Sequence, residues 1–120
     1  MNMWETIQTA LEGEGIKTYP PGAKTDECKS KYVVLKESGS ARVGNFTSEY
    51  VYYDFMLYVP KNKYNTLDDF EKEVKDAINK TVYPTIIPMG SNDSDFYDDE
   101  IKAHMRSFMY RNVRRNAYLR

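Results

Sequence analysis

The sequence predicts an α+β fold: a two-layer sandwich with a mostly antiparallel sheet and two helices packed on one face. Three observations carry this. Tyr50–Val59 alternates strictly, with Val51, Tyr53, Phe55, Leu57 and Val59 on one side and Tyr50, Tyr52, Asp54, Met56 and Tyr58 on the other. Leu67, Phe70, Val74, Ala77 and Ile78 then recur at helical spacing. The whole chain reads helix, strand, strand, helix, strand, and adjacent strands in such an order pair antiparallel beneath their helices.

The elements follow in order. Met3, Trp4, Ile7, Ala10 and Leu11 form the stripe of a first helix of about three turns, stopped by Gly13 and Gly15. Ile16–Tyr19 has strand character, cut off by Pro20-Pro21, neither of which can donate to a ladder. The next strand is Lys31–Glu37, followed by a flexible connection over Ser38–Thr47, which is rich in Gly, Ser and Asn. The alternating strand Tyr50–Val59 ends at Pro60. For the second helix, Thr66 is the expected N-cap, and Asp68 and Asp69 set negative charge on the first turn, where the dipole favours it. Asp68–Lys72 and Glu71–Lys75 are expected ion pairs on its wet side, and Pro84 marks its far limit. Thr85–Pro88 is a short β-prone run, and Gly90–Glu100 reads as a polar, acidic loop. Ile101–Val113 fits both periods. Ile101, Ala103, Met105, Ser107, Met109 and Val113 share a face at period two, and a strand is expected because a lone hairpin would leave the sheet underbuilt.

The 120 residues fit a single domain, with 114–120 a basic C-terminal extension. A hydrophobic share of 41% against 29% charged is a globular balance. Net charge is −1, which offers no electrostatic case for nucleic acid or an anionic membrane. The charge is unevenly placed, however. Asp93, Asp95, Asp98, Asp99 and Glu100 crowd one stretch without a base, and Lys102, Arg106, Arg111, Arg114, Arg115 and Arg120 fill the next without an acid. Eleven tyrosines give large contact area with a polar tip, which suits interfaces as well as half-buried sheet faces. The single Cys28 permits no internal disulfide and fits a reducing cytosol. The first residues lack a basic region followed by an apolar run, so no signal peptide is expected, and no stretch approaches the ~18 apolar residues of a membrane span.

Nothing in the sequence points to catalysis, a cofactor or a metal. His104 has no nucleophile beside it, Cys28 stands in a charged loop, and GSARVG lacks the lysine and strand–loop–helix setting of a phosphate loop. DSDFYDDE has the first spacing of a calcium loop but not its central glycine. The chain is therefore expected to be a binding module and not an enzyme. Its candidate protein-interface residues are Arg42, Phe46, Tyr50, Tyr52, Asp98, Asp99, Arg106, Arg111, Arg114 and Arg115.

The sequence of a short first helix, KYVVLKE, EYVYYDFMLYVP, TLDDFEKEVKDAIN and KAHMRSFMYRNV resembles the tail terminator (tail completion) proteins of long-tailed bacteriophages and related tail-like particles. The resemblance spans about Trp4 to Val113 and is one of element order, size and texture. It implies a hexameric ring that caps the tail tube, ends tube polymerisation and offers its other face to the head connector. The implied partners are the chain itself as a ring, the tail tube protein, head–tail connector or neck proteins and, in contractile tails, the sheath protein. DNA would only pass through the lumen. The implied location is the virion at the head–tail junction, after assembly in the bacterial cytoplasm. Head completion (neck) proteins are the alternative within this class. A small nucleic-acid-binding regulator is the alternative outside it, resting on Phe108, Tyr110 and Tyr118 among the arginines.

Overall fold

A computed structural model describes residues 2–42, 48–83, 85–92 and 94–115, with the backbone alone at a few strand ends. The fold is the expected α+β sandwich. Helix α1 (Met3–Gly13) leads into strands β1 (Thr18–Tyr19), β2 (Tyr32–Arg42) and β3 (Ser48–Pro60). A 3-10 turn (Lys61–Thr66) runs directly into α2 (Leu67–Thr81), followed by β4 (Ile86–Asn92), β5 (Phe96–Asp98) and β6 (Ala103–Arg115). The sheet order is β1-β2-β3-β6-β4, and β5 continues along the same edge of β6. Every pairing is antiparallel except the short β1–β2 ladder.

Both helices lie on one face because their stripes and one face of the sheet complete each other. Ile7 and Leu11 of α1 and Phe70, Val74 and Ile78 of α2 close over Leu35, Phe55 and Tyr53, all essentially inaccessible. Phe55 stacks on Phe108, its register partner, at 5.3 Å between ring centres. Tyr110 meets both rings edge-on. Such ring pairs add roughly 0.5–1.5 kcal/mol each beyond the area they bury. The Trp4 indole N–H donates to the Leu35 carbonyl at 2.6 Å, tying α1 to β2.

Several expectations are corrected. Strand β2 does not stop at Glu37. It continues through the expected connection to Arg42, with a bulge between Glu37 and Gly39 that Gly39 makes possible at φ +118°. The acidic stretch is not all loop, since β4 and β5 draw much of it onto the edge of β6. In β6 the period-two set Ala103, Met105, Ser107 and Met109 does share a face, but it is the face turned away from the helices. Phe108 and Tyr110 supply the core instead. Arg114 and Arg115 belong to β6 and not to an extension. Thr66 does not cap α2. The 3-10 turn already supplies carbonyls to the first turn, and the Thr66 hydroxyl donates backwards to the Lys63 carbonyl at 2.6 Å. The real cap is at α1, where Asn2 and Glu5 form a reciprocal capping box. Of the expected helix pairs, Glu71–Lys75 forms, whereas Lys72 turns to Asp76 and Asp68 to Arg106. Pro84 and Phe46 lie outside the described residues.

Candidate functional site

Among the described residues, the sheet face opposite the helices has no layer over most of its length. Strand β3 presents Tyr50, Tyr52, Asp54, Met56 and Tyr58 there, and β6 presents Met105, Ser107, Met109 and Arg111. All but Ser107 are partly exposed. The Arg111 guanidinium lies 4.3 Å from the centre of the Tyr50 ring, a cation–π contact, and its Nε has no hydrogen-bond partner among the described residues. Register places Phe96 beside Met105 on this same face, and Phe96 is 56% exposed. A band of tyrosine, methionine, one phenylalanine and one arginine fits the composition of an interface core.

One end of this face is covered. The loop of residues 20–31 folds back over it, held by a hydrogen bond from the Cys28 amide to the Ile101 carbonyl at 2.7 Å. Cys28, Tyr32, Val34, Ile101 and Ala103 form a second, smaller core there. Burial pushes the Cys28 thiol up, and its Sγ donates to the Ser30 carbonyl at 3.4 Å, so it is held as the unreactive thiol. His104 lies on the helix side, its ring near Tyr64 and Tyr97 and its Nε2 3.1 Å from the Lys61 carbonyl oxygen. Among the described residues no group of three or more His, Cys, Asp or Glu side chains is placed to hold a metal, and no helix is long and apolar enough to cross a membrane.

The charged candidates other than Arg111 divide into three groups. Arg106 is consumed within the chain. Its Nε and Nη2 grip the two oxygens of Asp95 at 2.8 Å each, and Nη1 reaches Asp68 at 2.6 Å and Glu71 at 3.1 Å. The bidentate Arg106 fork holds the Asp95 carboxyl down to about 2, and these carboxylates raise Arg106 in turn. Burial works against the charge of Glu71, but Lys75 and Arg106 outweigh it and leave that carboxyl lowered. The Tyr64 hydroxyl closes the network by donating to Asp95 at 2.7 Å. Arg106 is thus a brace between α2, the acidic stretch and β6, and has no fork left for a neighbour.

Asp98 and Asp99 sit at one end of the molecule. Asp98 pairs with Ala103 in the ladder and accepts from the Glu100 amide at 3.0 Å, while Asp99 makes a loose contact with Lys102 at 3.7 Å. Arg42, Arg114 and Arg115 sit at the other end, with Arg114 opposite Glu49 and Arg115 opposite Ser48. Strand β6, 13 residues long, separates the two ends by roughly 40 Å at ~3.3 Å per residue. Pairing between them inside one chain is therefore ruled out. Of the candidates, the structure brings together Tyr50, Tyr52 and Arg111 on the uncovered face.

Sequence reasoning missed Phe96, because the strand character of Phe96–Asp98 is hidden among acidic residues, and it placed Met105 and Met109 on one strand face without marking that face as a site. In comparisons with known proteins, no family model matches the chain and no curated protein matches it.

Proposed function

We propose that the chain is a structural subunit that assembles with copies of itself into a ring, in the manner of a phage tail terminator. The ring would cap the tail tube, stop its growth and present a surface for head joining. The observation that carries the self-assembly is the separation of opposite charge along β6, with an uncovered tyrosine- and methionine-rich face between. Unlike ends on one sheet favour heterologous, head-to-tail contacts, and these close into rings when the rotation between copies allows. The resemblance in element order supplies the particular ring. Tail tube protein, neck proteins and, in a contractile tail, sheath protein are the further partners of this reading, and the lumen would pass DNA.

Three measurements test it. Light scattering of the purified chain over a range of concentrations should give a closed oligomer, and a monomer throughout would refute self-assembly. Particles made without the protein should carry tails of uncontrolled length. Tails of normal length that fail to join heads would point to a neck role instead. DNA affinity falling steeply with salt, in a chain that does not self-associate, would favour the regulator reading.

A further inference from the structure

A cleft of about 270 Å³ opens between the 20–31 loop and the covered end of the outer sheet face. It lies below the ~300–1,000 Å³ range of ordinary small-molecule sites, so it suits one side chain better than a cofactor. Its floor is aromatic. Tyr32 and Tyr58 are stacked at 5.1 Å with 19° between their planes, and Tyr19 meets Tyr32 edge-on at 5.7 Å. Acid lines the rim, in the form of Asp98 and Glu100. Neither carboxylate has an ion-pair partner among the described residues.

Two features show what the cleft lacks. Tyr32 is 3% exposed, yet its hydroxyl has no hydrogen-bond partner among the described residues. A buried hydroxyl is rarely left unmatched, because an unmade hydrogen bond costs its full desolvation. Lys24 shows that the rings accept positive charge, since its Nζ lies 5.3 Å from the Tyr19 centre and 5.6 Å from that of Tyr32. It approaches from the loop and is paired with Asp26 at 3.5 Å. Burial, joined by the negative charge of Asp98, raises both Tyr32 and Tyr58. With Lys24 set against Asp98 and Glu100, the cleft keeps an excess of negative charge.

We infer that this cleft is a socket for an arginine side chain donated by the basic end of a second copy. A guanidinium is planar, stacks on aromatic faces and donates in a fork, so one group meets the partly exposed Tyr58 of the floor and the rim carboxylates together. Within the described strand the arginines suited to this are Arg114 and Arg115, placed by β6 roughly 40 Å from the cleft of their own chain. Only another copy can deliver them. The inference rests on the self-assembly reading and specifies its contact.

Charge exchange between two variants tests the contact. One carries Asp98→Lys with Glu100→Lys, leaving its arginines intact. The other carries Arg114→Glu with Arg115→Glu, leaving its socket intact. Alone, each should lose at least tenfold in association by light scattering, because like charges meet at every junction. Mixed in equal amounts they should recover assembly as alternating copies. Asp99→Asn should assemble like the unaltered chain, since Asp99 does not line the cleft. Thermal melts of each variant keep loss of folding separate from loss of contact, and Glu100→Gln with Tyr58→Leu serves where the reversed socket does not fold. If the unaltered chain assembles and the socket variants assemble equally well, the socket is wrong while self-assembly stands. Two folded variants that stay apart when mixed would also overturn it. An unaltered chain that remains monomeric overturns both readings.

Discussion

Arg106 shows how far one side chain's role depends on what the fold brings to it. The sequence places it in a run of bases, and nothing local distinguishes it from Arg111 or Arg114. In the fold it gathers Asp95, Asp68 and Glu71, with 17% of its side chain exposed. Removing it leaves three carboxylates crowded together with Lys75 as their nearby base. Arg106→Ala should therefore cost about 2 kcal/mol, between the values for exposed and for buried pairs. Arg106→Lys should restore less than half, because an ammonium cannot grip both Asp95 oxygens. Denaturant midpoints decide this, and an Arg106→Ala midpoint equal to wild type would show that the brace adds nothing. The same contact sets a pH dependence. Asp95 is held at about 2, below the ordinary carboxylate value, so its contribution is fully present above pH ~4 and is lost as pH falls towards 2. After discounting for solvent screening this is about 1 kcal/mol, and Arg106→Ala should abolish that part of the acid sensitivity.

Periodicity made the principal elements readable. Strict alternation fixed β3 and its buried side, and the stripe Leu67–Ile78 fixed α2 with its buried residues. What it could not give was anything decided by a partner strand. The Ser38–Arg42 segment is composed like a connection, yet beyond the bulge at Ser38 its residues Gly39–Arg42 pair with Glu49–Tyr52 because β3 offers a ladder that long. The residues Phe96–Asp98 pair for the same reason with β6. Capping was misplaced because Thr66 satisfies the sequence rule, while the 3-10 turn before it changes the backbone that the rule assumes. The consequence is a ranking that reverses the sequence expectation. Asn2→Ala should cost about 1 kcal/mol through loss of the capping box, and Thr66→Ala should stay within about 0.5 kcal/mol. Phe70→Ala, deep in the core, should cost roughly 3–5 kcal/mol. Equal midpoints for the Asn2 and Thr66 variants would show that the caps do not differ in weight.

At the scale of the whole molecule, the second face of β3 was readable as tyrosine-rich, but its extent was not. That required knowing that both helices take the same side and that β6 lies beside β3, with its methionines outward. The charge asymmetry was plain in the sequence, whereas its meaning came from β6, which sets the acidic end of β5 beside its start and Arg114 and Arg115 at its far end. Phe96 lies on this outer face and is the position where folding and assembly can be told apart. It is 56% exposed, so it contributes little to the core, and Phe96→Ala should change stability by no more than about 0.5 kcal/mol. An aromatic side chain sealed between two copies costs far more to truncate, commonly 2 kcal/mol or above, which is roughly thirtyfold in affinity. The expected result is an unchanged melting curve for dilute monomer together with association shifted to at least tenfold higher concentration. If Phe96→Ala assembles as readily as the unaltered chain, copies meet through the charged ends alone and the outer face is left for a different partner. A melting curve that falls along with assembly would mean instead that Phe96 supports its own chain, and the face would have to be probed at Met109.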